Sequence, residues 1–200
     1  MKILALIGSP RKQGNTDIMA DEVLRGAKES EIETGKIYLD DFWIRPVSEV
    51  CDKTWERDDP RKDDDFPKIL AEFLDSDIVI FSSPVYWHGI SAQLKCFNDR
   101  LSSYFRRPPY AKRFNGKGYI VLCAYGRSEP VHGQLVTDSM KLTVESLRGY
   151  YLGDVCADLT YEKGIVRHKP DIMKSCYELG KKAGSLLKKC REEVKMDVTV

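Results

Sequence analysis

The sequence predicts an α/β fold: a three-layer sandwich with a five-stranded parallel sheet in the order 2-1-3-4-5 and helices on both faces. Three observations predict it. Strand-like apolar runs alternate with segments of helical period along the 200 residues. The first run, Ile3 to Ile7, is continuously apolar, as a strand covered on both faces is. The two most distinctive loops follow the first and third runs. In a sheet of this order, that is where the chain direction reverses and a ligand crevice opens.

Taken in order, the first strand spans residues 2–7 and ends in Gly8-Ser9-Pro10, a turn signal. Asn15 and Thr16 can cap a helix over 17–28, in which Met19, Val23, Leu24 and Ala27 recur near helical spacing. A short second strand covers 36–39. Residues 40–65 are irregular and carry a long charged run, whose default reading is a solvated loop; loops of that length also serve as lids or interface segments. Helices are predicted over 66–74, 92–104, 134–147 and 170–189, and strands over 78–83, 119–124 and 150–156. No internal repeat or flexible linker divides the chain, so residues 1–200 form one domain.

Composition narrows the function classes. Lys and Arg total 32 against 31 Asp and Glu, which gives no electrostatic case for nucleic acid or an anionic membrane. No apolar run reaches membrane length, and the N-terminal apolar stretch is too short for a signal peptide. The six cysteines (51, 96, 123, 156, 176, 190) are scattered without a Cys-x-x-Cys pair. That argues against a metal site or a disulfide framework and suits a reducing cytoplasm, with Cys96, Cys123 and Cys156 read as small core residues.

The loop after the first strand offers Ser9, Arg11, Lys12, Asn15 and Thr16 at a helix N-terminus, where free amides and the helix dipole favour an anion. It lacks both the P-loop and the dinucleotide glycine patterns, and its side-chain donors suit a terminal phosphate monoester. Asp17 would repel a phosphate and should point away. An ordinary polar connection is the competing reading.

The loop after the third strand carries Pro84, Val85, Tyr86, Trp87 and Gly89. Its aromatics can cover a flat heteroaromatic ring, with Gly89 allowing close backbone approach; equally, they can bury against a helix or a second subunit. The loop after the fourth strand brings Tyr125, Gly126 and Arg127 toward the same crevice. His88 is the one histidine in a candidate site loop, and no acid–base or nucleophile–base arrangement is evident.

Gly8-Ser9-Pro10-Arg11, Gly14-Asn15-Thr16, Ser83-Pro84-Val85-Tyr86-Trp87, Lys95 and Asp99-Arg100 together resemble the NAD(P)H-dependent FMN reductases of flavodoxin-like fold, near the branch that contains the iron–sulfur flavoproteins. The resemblance covers about residues 1–160. It implies FMN, with the phosphate held by Ser9, Arg11, Gly14, Asn15 and Thr16. The ring would lie against Pro84, Val85, Tyr86, Trp87 and Gly89, near Tyr125 and Gly126. The iron–sulfur members carry a cysteine cluster between the second strand and second helix; here that stretch keeps Cys51 alone, so no cluster is expected.

The resulting expectation is an oxidoreductase using NAD(P)H as co-substrate, without catalytic side chains of its own, that reduces a quinone, an azo or nitro compound, or a flavin. A homodimer could complete its site. A flavodoxin-like electron carrier and a non-enzymatic binding protein on the same fold are the rival readings.

Overall fold

Alternate residues of each central strand enter opposite cores, because successive side chains of a strand point to opposite faces. In β1 (Lys2–Ile7), Ile3, Ala5 and Ile7 enter one core, and Leu4 and Leu6 the other. Ile78 and Ile80 oppose Val79 and Phe81 in β3 (Ile78–Pro84). Ile120, Leu122 and Ala124 oppose Tyr119, Val121 and Cys123 in β4 (Gly118–Ala124). The computed structural model describes residues 1–47, 63–108 and 110–197.

With β2 (Glu33–Tyr38) and β5 (Tyr150–Ala157) these strands form one parallel sheet in the order β2-β1-β3-β4-β5, as the alternation of elements predicts. The helices α1 (Asn15–Lys28) and α6 (Pro170–Asp197) cover one face. The other is covered by α2 (Phe66–Asp75), α3 (Ala92–Leu101), the single turn α4 (Ala111–Phe114) and α5 (Val131–Ser146). Phe66, Phe73, Phe97 and Phe114 interlock on this second face, each burial worth about 1.5–3 kcal/mol.

Several details differ from the sequence reading. The strand expected over 36–39 begins three residues earlier, at Glu33, and Leu39 starts a turn of 3-10 helix instead. The α1 helix begins at Asn15 on an extended Gly14, so Asn15 and Thr16 are helical residues and not caps. The third helix stops at Leu101, three residues short of Tyr104, and α4 was not foreseen.

The charged run is not wholly solvated. The Asp64 side chain is fully buried against Arg100, while the run's residues up to 62, and Cys51 and Trp55 before it, lie outside the described residues. Of the three cysteines read as core, Cys123 is buried, whereas Cys96 and Cys156 are half-buried.

Candidate active site

The carboxyl ends of β1, β3 and β4 open on a cavity of about 210 Å³. On leaving β1 the chain passes Gly8, whose amide donates to the Ser82 carbonyl at 2.8 Å. A Cβ there would sit 2.6 Å from Ser91 Oγ and 2.9 Å from Leu94 Cβ, so a residue without one is required where β1 runs under the start of α3. The next residues curl tightly. Ser9 Oγ accepts the Arg11 amide at 3.1 Å, and the Arg11 carbonyl accepts the Gly14 amide at 2.8 Å. The amides of Asn15 and Thr16, in the first turn of α1, precede any carbonyl of that helix and are free to meet an anion.

Asp17 does point away. Its buried carboxylate accepts the Gln13 amide at 2.7 Å, Lys36 Nζ at 2.8 Å and the Tyr38 hydroxyl at 3.1 Å. It therefore anchors the loop from beneath. Asn15 acts sideways: Nδ2 donates to the carbonyls of Thr160 and Glu162 at 3.2 and 2.8 Å, and Oδ1 accepts the Val166 amide at 3.1 Å. Its side chain thus clasps the loop that follows β5, leaving its backbone amide for a ligand.

After β3, the Ser83 hydroxyl accepts the Ser91 amide at 2.8 Å and closes the base of the aromatic loop. Tyr86 and Gly89 exchange two backbone hydrogen bonds of 3.0 Å around a two-residue turn. The turn residues Trp87 and His88 have φ of +48° and +65°, the left-handed region that non-glycine residues seldom occupy. Trp87 is thereby held 97% exposed. His88 stacks on His132 with ring centroids 5.1 Å apart, its Nδ1 3.1 Å from that of His132.

The structure brings ten of the twelve sequence-predicted site residues to the cavity wall: Ser9, Arg11, Gly14, Asn15 and Thr16 on one side, Pro84, Val85 and Tyr86 on another, and Tyr125 and Gly126 on the third. Trp87 and Gly89 lie in the adjoining turn and do not line it, nor does Arg127.

Thr160, Tyr161 and Lys163, from the loop after β5, complete the wall and were not anticipated. Gly126 makes room for one of them, since a Cβ on it would lie 2.5 Å from the Tyr161 ring. Thr160 is fixed by its amide and hydroxyl, which both donate to the Tyr125 carbonyl, at 3.0 and 2.9 Å. Burial raises the Tyr125 phenol above its ordinary value and keeps it neutral.

Two cations, Arg11 and Lys163, line the cavity, and neither has a carboxylate partner among the described residues. Among the described residues no Asp or Glu is on its wall. Cations, hydroxyls and first-turn amides share this wall with aromatic and proline surface, a donor set that fits a phosphate joined to a planar ring.

Comparisons with known proteins show the family and the fold. An iron–sulfur flavoprotein of Archaeoglobus fulgidus is 31% identical over 135 residues, which are 68% of this chain and 60% of that relative's own length. An FMN-dependent NADH:quinone oxidoreductase of Pelagibacter ubique is 27% identical over 182 residues, 82% of this chain and 94% of that one. The solved structure of the Trp repressor binding protein from Bacillus subtilis superposes with a TM-score of 0.68 at 21% identity, covering 90% of this chain and 98% of that one. The sequence signature of NADPH-dependent FMN reductases matches residues 1–162, and the chain belongs to that family.

Proposed function

We propose that the protein is an FMN-dependent oxidoreductase that takes reducing equivalents from NAD(P)H and passes them to a small electron acceptor: a quinone, an azo or nitro compound, or a flavin. The observation that carries this reading is the cavity wall itself, at the crevice where the strand order reverses: among the described residues it holds two cations without carboxylate partners and no carboxylate. Ser9, Arg11, Thr16 and the first-turn amides of α1 would hold the FMN phosphate. Pro84, Val85 and Tyr86 would carry the ring, with Trp87 and Gly89 in the adjoining turn limiting access to it. Bound FMN would supply the two-electron chemistry, which explains why no catalytic acid–base pair is evident. The chain's own part is to bind, orient and neutralise negative charge near Arg11 and Lys163.

One thiolate cannot hold a four-cysteine cluster, so Cys51 alone supports FMN without iron–sulfur. The five described cysteines are free thiols, which suits a cytoplasmic protein. Among the described residues no helix is long and apolar enough to cross a membrane, and the near-neutral net charge of +1 favours small-molecule partners over nucleic acid. Exposed Trp87, with Val131, Leu135 and Leu142 along one side of α5, supports a homodimer formed on that side.

The test is anaerobic addition of NADH or NADPH to the FMN-loaded protein, followed by each class of acceptor. Bleaching of the flavin band and its return with acceptor is the expected result. A bound flavin that dithionite reduces and NAD(P)H does not would replace the reductase with an electron carrier. Stoichiometric iron and sulfide in the purified protein would overturn the cluster-free reading.

A further inference from the structure

A second cavity lies at the opposite end of the sheet from the candidate flavin site. It encloses about 740 Å³ beside Ile78, Gly118 and Tyr150, the first residues of β3, β4 and β5. That volume falls within the range of ordinary small-molecule sites. Leu152 of β5 and Leu186 and Leu187 of α6 give it an apolar wall, and Tyr150 and Leu186, 67% and 44% exposed, mark where it opens to solvent.

Two cations line this cavity. Lys117 is only 6% exposed. Its Nζ donates to the Leu74 carbonyl at 2.8 Å and to the Ser76 carbonyl, at the C-terminus of α2. An ammonium has three donors, so one remains. Arg113 also borders the cavity and has no carboxylate partner among the described residues. The one carboxylate among the described wall residues, Asp77, accepts the Lys2 amide at 2.7 Å. Burial lowers the Lys117 pKa to about 8; Asp77 opposes that shift, Arg113 adds to it, and Asp75 at the end of α2 opposes it more weakly. A buried ammonium that lies beside a second cation and an apolar cavity would be stabilised by an anion with an apolar body.

We propose that this cavity is a second ligand site, separate from the flavin site, for a small apolar carboxylate. Its hydrocarbon body would lie against Tyr150, Leu152, Leu186 and Leu187, and its carboxylate between Lys117 and Arg113.

The test is calorimetric titration of the FMN-saturated protein with decanoate and, in parallel, with decanol. Decanoate is expected to bind once per chain, at least about tenfold more tightly than decanol. Near pH 8, binding should draw roughly half a proton from the buffer as the Lys117 amine becomes fully charged, read from the difference between buffers of unlike ionisation heat.

Arg113→Glu, at an exposed position, should weaken decanoate about tenfold or more, and Leu186→Trp should block the opening. Lys117→Met should abolish the proton uptake. Since it also removes two hydrogen bonds at the end of α2, the Arg113 and Leu186 variants decide the matter if it does not fold. Absence of binding at millimolar decanoate would overturn the proposal, as would binding indifferent to both of those variants. So would self-association that Leu186→Glu disrupts in a protein that binds no decanoate, because a second copy would then cover the cavity.

Discussion

The Asp64 carboxylate lies 2.5 Å from the Arg100 guanidinium, and their side chains are 0% and 1% exposed. This pair ties together the two ends of the stretch between β2 and α2. Asp64 Oδ2 accepts the Arg45 amide at 3.0 Å, Asp64 Oδ1 the Phe66 amide at 3.1 Å, and Arg100 Nη1 donates to the Arg45 carbonyl at 3.2 Å. Next to it, the Trp43 amide and carbonyl pair with Asp65 at 2.8 and 3.0 Å. Arg100 also lies 4.6 Å over the Phe66 ring.

Removing Arg100 would leave a carboxylate buried without its counter-ion. Arg100→Met should cost about 3–5 kcal/mol by urea denaturation, and Arg100→Met with Asp64→Leu should recover much of that. A single variant within 1 kcal/mol of the parent would contradict the pairing. Burial opposes ionisation of Asp64, but the bonds from Arg100 and from the Arg45 and Phe66 amides outweigh it and hold the carboxyl below its ordinary value. A depressed folded-state pKa gives stability that is complete above the unfolded value, about 3.9, and is lost as pH falls through the folded one. Acid denaturation of the parent should therefore steepen below about pH 4, and Asp64→Asn should flatten that limb.

Asp17 supports the proposed phosphate loop without touching the cavity. Asp17→Ala would free the Gln13 amide and deprive Lys36, 20% exposed at its side chain, of one of its two carboxylates. Burial disfavours the Lys36 ammonium, yet its bonds to Asp17 and Asp21 raise its pKa above the lysine norm. A stability loss of about 2 kcal/mol is expected, with FMN affinity falling about tenfold through the slackened loop. Unchanged FMN affinity in a folded variant would show that the loop does not depend on Asp17.

Tyr119 offers a stabilising substitution. Its ring is fully buried and stacks on Phe81, but its hydroxyl has no hydrogen-bond partner among the described residues. Burial raises its pKa, so the phenol stays neutral and its desolvation goes uncompensated. Tyr119→Phe should raise stability by about 1 kcal/mol, visible as a higher melting temperature. A loss of that size would reveal a partner for the hydroxyl.

The turn at Trp87 and His88 stores backbone strain, with both residues at positive φ. His88→Gly should leave stability unchanged or raise it by about 1 kcal/mol, because relief of a left-handed side chain offsets the lost stack on His132. His132→Ala measures the stack alone. If His88→Gly is destabilising by as much as His132→Ala, the stack and not the backbone governs this turn.

The fold was legible because β1, β3 and β4 are covered on both faces and read as apolar runs that need no partner to be recognised. At the edge, β2 is half-exposed along most of its length, so Glu33, Thr34 and Gly35 carry no hydrophobic signal and the strand was read three residues short. With four residues, α4 is too short to show a period.

Most of the cavity wall was legible because its loops leave buried strands abruptly into Gly8-Ser9-Pro10 and Pro84-Val85-Tyr86. Tyr161 and Lys163 were not, because they follow the edge strand β5 in a polar loop; their one available hint was Gly126, whose missing Cβ is filled by the Tyr161 ring. The capping reading of Asn15 failed because its side chain is spent on a loop about 150 residues away in sequence, a tertiary demand that local pattern does not display.

The central claim is that the Ser9–Thr16 loop holds the phosphate of FMN. The measurement that tests it most directly is fluorescence quenching of FMN and of riboflavin, which lacks the phosphate, titrated with the same protein. The account predicts that FMN binds at least about a hundredfold more tightly than riboflavin, and that Arg11→Met removes most of the difference. Equal affinity for the two, or no quenching of either, would contradict it.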